Sequence, residues 1–226
     1  ATGSYFIAAD GSPMNLNCSY QWTKDGVSTS TLPSITVNQT GVYAVEATSM
    51  CAVSAADTIS IFVFDLPVVD AGEDVIICAG DSAQLDASGG VSYSWSNASY
   101  LNNANIQNPL AGPPQGLTTS FTVTATDENT CVNSDAVLVT SNFVSPGTIS
   151  GNQTVCSGGD PALISSSNNG SSTGISSYSW ESSTDNVDFT PISGATLSTY
   201  NPPSGLSVTT YFRRIHYSTI SGYECS

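Results

Sequence analysis

One short phrase is written three times in this chain: a tyrosine–x–tryptophan strand, at Tyr20-Gln21-Trp22, Tyr93-Ser94-Trp95 and Tyr178-Ser179-Trp180. Each copy has a cysteine before it and another after it: Cys18 and Cys51, Cys78 and Cys131, Cys156 and Cys225. All six cysteines and all three tryptophans fall into that scheme. Recurrence with nothing left over marks a tandem array of small units. Units of roughly 70–80 residues bury little apolar surface and often need a covalent staple. Two cysteines per unit meet that need, and the repeat selects, from the many connectivities open to six cysteines, the one in which each unit closes on itself.

Cysteines flanking a tryptophan strand are the sequence mark of a disulfide-pinned β-sandwich of immunoglobulin type. The rest of the chain agrees. Sustained helical spacing of apolar residues is absent, and period-two runs are everywhere. Tyr43, Val45 and Ala47 alternate with polar or small residues, as do Phe121, Val123 and Ala125. Such runs are half-buried strands. Asp25-Gly26 after the first tryptophan strand is a hairpin signal. Gln39-Thr40-Gly41-Val42-Tyr43 resembles the entry to the sixth strand of the fold, where a tyrosine returns its hydroxyl to the backbone. The expectation is all-β: three tandem immunoglobulin-like sandwiches, each with one internal disulfide. Trp22, Trp95, Trp180, Tyr43, Phe121 and Tyr211 are its predicted core residues.

Proline ends strands, which places boundaries at Asp65-Leu66-Pro67 and at Val144-Ser145-Pro146-Gly147. The modules are then 1–66, 67–143 and 144–226. One more strand follows Cys51 and Cys131, whereas only Ser226 follows Cys225. The third module is therefore expected to lack its final strand, to be cut from something longer, and to present a sticky edge.

Three basic residues against 18 acidic ones give a net charge of −15. Phosphate binding needs lysine and arginine, so nucleic acid is excluded as a partner, and anionic membranes are disfavoured. The longest apolar run, residues 59–64, is of strand length, so direct membrane insertion is not expected. Paired cysteines imply an oxidising compartment: periplasm, cell surface or outside the cell.

The stretches Asp70-Ala71-Gly72-Glu73-Asp74, Ile77-Cys78-Ala79-Gly80-Asp81-Ser82 and Gly147-Thr148-Ile149-Ser150-Gly151-Asn152-Gln153-Thr154-Val155-Cys156-Ser157-Gly158-Gly159 resemble repeats of large Bacteroidota surface proteins. So do Gly89–Trp95 and Thr118–Thr124, while Ser182–Arg214 resembles a second repeat type of the same family. These are the immunoglobulin-like and PKD-like modules of SprB-like gliding-motility adhesins and related type IX secretion substrates. The resemblance covers the second and third modules almost fully and the first more loosely. It implies a secreted or surface-anchored polypeptide attached at the outer membrane, with the secretion and anchoring machinery as partners. One departure is Cys18, only four residues before Trp22, where the later gaps are 17 and 24.

Candidate chemistry is sparse. The tryptophans are assigned to cores against their disulfides; if sugars bind, Tyr100, Tyr200, Tyr217 and Tyr223 are better placed. Asp65, Asp70, Glu73 and Asp74 at the first linker, with Asp127, Glu128 and Asp135 near strand ends, are candidate calcium ligands, set against a merely solvated acidic surface. His216, the single histidine, has no nucleophile turn to serve, and no other cofactor is implied. Of Arg213 and Arg214, alternation turns one inward and one outward, with an ion pair preferred over a stacking contact. Asp57-Thr58-Ile59 and Asp81-Ser82-Ala83 resemble Bacteroidota O-glycosylation sites, and Asn38-Gln39-Thr40 is an N-glycosylation triplet. The expected function is that of a non-enzymatic adhesin segment, a stalk or adhesive surface contacting substratum or polysaccharide, in gliding. The alternatives are a carbohydrate-binding region beside a secreted polysaccharide-degrading enzyme and a passive spacer.

Overall fold

The structure, a computed structural model, describes residues 5–8, 19–48 and 54–226. Cys18 and Cys51, and with them the first expected disulfide, lie outside the described residues. The chain divides into two compact units, Ala1–Leu66 and Pro67–Ser226.

In the first unit, β1 (Tyr5–Ala8) pairs with β4 (Ser34–Val37). The other sheet runs β3-β2-β5-β6, built from β2 (Ser19–Lys24), β3 (Val27–Ser30), β5 (Gly41–Thr48) and β6 (Ser54–Ile61). Asp25 and Gly26, both at positive φ (51° and 82°), turn β2 into β3. That is the backbone a two-residue hairpin needs, and asparagine, aspartate and glycine tolerate it. Tyr43 is buried, and its hydroxyl donates to the Gln39 carbonyl at 3.0 Å, forming the tyrosine corner.

The second unit begins with β7 (Val75–Cys78), β8 (Ala83–Gln84), β9 (Ser92–Trp95), β10 (Leu110–Ala111), β11 (Thr118–Thr126) and β12 (Val132–Asn142). Its main sheet runs β7-β12-β11-β9, and β8 pairs with β10 on the opposite layer. Leu85, Trp95, Phe121, Val123, Val137 and Val139 share one buried apolar cluster. The same unit continues with β13 (Val144–Ser145), β14 (Thr148–Ser150), β15 (Ser165–Asn168), β16 (Ser171–Ser172), β17 (Ile175–Ser183), β18 (Thr190–Pro191), β19 (Tyr211–Ile220) and β20 (Tyr223–Cys225). The main sheet here runs β18-β17-β19-β20, beside the two-stranded pairs β13-β16 and β14-β15.

One scheme therefore recurs. A tryptophan strand pairs with a long strand, which pairs in turn with the strand that follows it: β2-β5-β6, β9-β11-β12 and β17-β19-β20. This is the C–F–G arrangement of immunoglobulin-like domains. Trp22, Trp95 and Trp180 are buried, and each indole N–H donates to a loop carbonyl, of Leu32, Ile106 and Leu197, at 2.8, 3.0 and 2.8 Å. A buried indole needs such an acceptor, so repetition of the bond ties the three copies together beyond their sequence motif.

Two expectations are corrected here. Tyr211 is not a core residue: it is 40% exposed at the start of β19. The strand turns its even-numbered residues inward, and Tyr211 has the wrong parity. The third module does have a strand in its last position. It is β20, three residues long, paired to β19 through Ser218↔Cys225, Thr219↔Glu224 and Ile220↔Tyr223.

Candidate functional site: the junction of the second and third modules

The expected pairings of Cys78 with Cys131 and of Cys156 with Cys225 are overturned. Cys78 is bonded to Cys225 across the module boundary, with Cα atoms 5.6 Å apart, and Cys131 and Cys156 are free thiols among the described residues. Strand direction is the reason. β7 runs parallel to β12, with Cys78 opposite Asn142 at the strand's far end. Cys131 immediately precedes β12, so the whole strand, roughly 35 Å, separates it from Cys78. No disulfide spans that distance. The space beside Trp95 is filled instead by Leu85, Phe121 and Val123.

Around the disulfide the two modules are locked in a square of four residues. Cys78 and Asn142 are register partners on one side, and Cys225 and Ser218 on the other. The disulfide joins one cross-pair. The other is joined by hydrogen bonds: Ser218 Oγ donates to Asn142 Oδ1, and Asn142 Nδ2 donates to the Ser218 carbonyl at 2.8 Å and to the Tyr223 carbonyl at 3.3 Å. Asn142 and Ser218 are both fully buried. The Gly174 N–H donates to Ser218 Oγ at 2.9 Å, which completes the network. A buried polar group without partners costs about 1–3 kcal/mol, so these side chains specify one docking geometry.

The inward face of β19 carries the polar theme into the third module. Arg214 and His216 are buried on it. Arg214 donates to the carbonyls of Ser198, Pro146 and Asn168 at 2.8, 2.9 and 3.1 Å and to Ser166 Oγ at 2.7 Å. Its Nε has no partner among the described residues. The guanidinium lies 4.8 Å over the Tyr178 ring, on which His216 also stacks at 4.8 Å. His216 Nδ1 bonds the Ser145 carbonyl at 2.6 Å and Nε2 bonds Ser176 Oγ at 2.9 Å. With Nδ1 as donor and Nε2 as acceptor the neutral ring satisfies both bonds. Gly170, at φ 83°, packs so closely that a Cβ there would run into the Ser145 carbonyl and come within 2.8 Å of His216 Nδ1.

Among the described residues, the polar contacts of His216 are a backbone carbonyl and a serine hydroxyl. Arg213, facing outward, pairs with Glu181 at 2.6 Å and lies 4.1 Å over Phe189, so it makes both the ion pair and a stacking contact. Among the described residues Arg214 makes no ion pair; the carbonyls of Ser198, Pro146 and Asn168 meet it instead.

Among the described residues no three His, Cys, Asp or Glu side chains come together to hold a metal. Four of the candidate calcium ligands accept hydrogen bonds from the backbone. Asp70 accepts from the Gly72 N–H, Asp74 from the Leu138 N–H, and Asp127 from the Asn129 and Cys131 N–H groups. Asp135 accepts from the Ala71 N–H at 2.9 Å, and that bond holds its carboxyl below the usual range. Asp65, Glu73 and Glu128 are gathered into no such cluster.

Of the candidate sugar-binding rings, Tyr100 and Tyr223 are exposed. Tyr200 stacks on Trp180, and Tyr217 bonds Ser179. Thr58, Ser82 and Asn38 are exposed. No described helix is long and apolar enough to cross a membrane. The sequence singled out none of Asn142, Ser218 or Gly170. The even-residue parity of β19 is the signal that marks Ser218 as buried.

Residues 145–226 match a family described as a domain of unknown function, DUF8696. No curated protein sequence matches the chain. Among solved structures, the chain is similar along 100% of its length to the three N-terminal domains of the Highly Immunogenic Outer Capsid protein of bacteriophage RB49, covering 90% of that chain at 15% identity and a TM-score of 0.48. It is also similar to titin domains A168–A170, with 99% and 89% of the two chains covered, 12% identity and a TM-score of 0.42. A third likeness is to the eight N-terminal immunoglobulin domains of Down Syndrome Cell Adhesion Molecule, over 96% of this chain and 39% of that one, at 14% identity and a TM-score of 0.40.

Proposed function

We propose that this chain is a force-bearing stalk segment of a surface-displayed adhesin, with mechanical and not catalytic work to do. The observation that carries the reading is the disulfide between Cys78 and Cys225, 147 residues apart in sequence. Tension applied on either side of the bonded pair passes through the sulfur–sulfur bond and bypasses nearly all of both modules. Asn142 and Ser218 hold the junction in one orientation under that bond. A junction that is covalently tied and hydrogen-bonded through Asn142 and Ser218 suits an element that must stay extended and aligned.

The acidic surface supports solubility outside the cell, and the disulfide supports an oxidising compartment. The resemblance to Bacteroidota repeat proteins supports display by the type IX machinery, outer-membrane attachment and a part in gliding, with polysaccharide or another surface polymer as the contacted ligand.

The test is to stretch single molecules of the whole chain between residues 1 and 226. With the disulfide intact, the second unit should release almost no contour length. After reduction about 500 Å more should appear, the contour length of a chain separation of 147. Full release without reductant would refute the mechanical reading. A polysaccharide panel then separates adhesion in these modules, seen as saturable binding, from adhesion elsewhere.

A further inference from the structure

The staple between the second and third modules exposes a pattern that the third module repeats without a partner. The segments Gly72–Asp81 and Gly151–Asp160 correspond, and each carries a cysteine just ahead of a tight turn. The Cys78 carbonyl accepts from the Asp81 N–H at 3.0 Å, and the Cys156 carbonyl accepts from the Gly159 N–H at 2.8 Å. At Cys78 this pole of the second module is covered by the β19–β20 hairpin and its Cys225. At Cys156 no such cover is present among the described residues: the thiol is free and exposed.

Beside it lies an open groove of about 990 Å³, flanked by Val155 and Ser157, the neighbours of Cys156, and floored by Leu206, Val208 and Phe212. Val155 and Val208 are 38% and 62% exposed there. Cys131 lies in the connection between β11 and β12 of the second module, whereas Cys225 lies on β20 opposite Ser218.

We infer that this pole of the third module is a docking site for the F–G hairpin of another immunoglobulin-like module, and that Cys156 captures that hairpin's cysteine in a disulfide. The occupant is a β-hairpin of the Cys225 type, since such a hairpin sits on the equivalent pole of the second module. Capture proceeds by exchange. The Cys156 thiolate attacks a hairpin cysteine already held as a mixed disulfide with a small thiol such as glutathione; the new sulfur–sulfur bond forms as the old one breaks, and the small thiol leaves as thiolate and takes up a proton. No net oxidation is required. The inference stands on the Cys78–Cys225 bond and the groove, whatever the array adheres to.

The probe is a backbone-cyclised hairpin peptide with the sequence of residues 215–226, its cysteine carried as the glutathione mixed disulfide. It is incubated with the whole oxidised chain, and adducts at Cys156 and Cys131 are quantified by peptide mass mapping against glutathione disulfide alone. Docking predicts that the peptide raises the Cys156-to-Cys131 ratio about ten-fold or more over glutathione, as a local rise in effective concentration does. Val155→Asp and Val208→Asp should abolish that advantage and leave the glutathione reaction unchanged. Equal ratios for peptide and glutathione, or an advantage that survives both substitutions, would overturn the docking site.

Discussion

Strands β11 and β19 hold the same place in successive modules, with Val123 and Arg214 each opposite its module's tryptophan, yet they bury opposite chemistry. β11 presents Phe121, Val123 and Ala125, all at 0% exposure. β19 presents Arg214, His216 and Ser218, at 9%, 3% and 0%. The difference lies in what each strand faces. β11 packs in an apolar cluster with Leu85 and Val139. β19 faces the ends of the short strands β13 and β15 and nearby irregular chain, where the carbonyls of Ser145, Pro146, Asn168 and Ser198 point inward and need donors. Buried carbonyls must be satisfied, and one arginine reaches three of them. The second module is thus held by its own apolar core. The third is held by hydrogen bonds converging on the junction and by the covalent tie to its neighbour.

That contrast can be broken by substitution. The largest effect is expected from Cys78→Ser with Cys225→Ser. Opening a loop of 147 residues removes about 5 kcal/mol of chain-entropy stabilisation. Urea unfolding of the whole chain should show the second unit melting earlier, with the first unit unchanged. Arg214→Met comes next, at about 3–4 kcal/mol, because it strips donors from three buried carbonyls. Hydrogen exchange should localise that loss to the third module. Val123→Ala should cost about 2 kcal/mol, as a deleted apolar volume does, with exchange rising in the second module. If Arg214→Met costs less than Val123→Ala, the polar face is not what holds the third module.

The smallest effect sharpens the account at low pH. Asp185 is held at about 2 by N–H donation from Val187, with the Ser183 hydroxyl and the Asp188 N–H adding to it. A depressed carboxyl stabilises the fold above the unfolded value near 4, and that contribution is lost as pH falls from about 4 to about 2. Asp135 acts with the same sign through Ala71. The urea midpoint should therefore drop across that window, and Asp185→Asn should flatten the drop.

Much of this was legible in the sequence. The three tryptophan strands, the Asp25-Gly26 hairpin, the Tyr43 corner and the opposed directions of Arg213 and Arg214 follow from period two and turn chemistry, which are local. The disulfide was not legible, because bracketing gives order along the chain and says nothing about strand direction. The turn Ala79-Gly80-Asp81 and the apolar residues Ala83 and Leu85 after it show that another strand intervenes before Trp95, which places Cys78 on the strand ahead of it. Alternation also shows which β19 residues face inward without showing the carbonyls they meet, because those belong to residues up to 71 positions away.

Which cysteines are joined decides whether the second and third modules are tied to each other or each closed on itself. Proteolysis of the alkylated, unreduced chain followed by mass spectrometry reads this directly. The structure predicts a peptide pair linked through Cys78 and Cys225, with alkylated Cys131 and Cys156. Peptides linked through Cys78–Cys131 and Cys156–Cys225 would contradict it and return each module to a closed unit of its own.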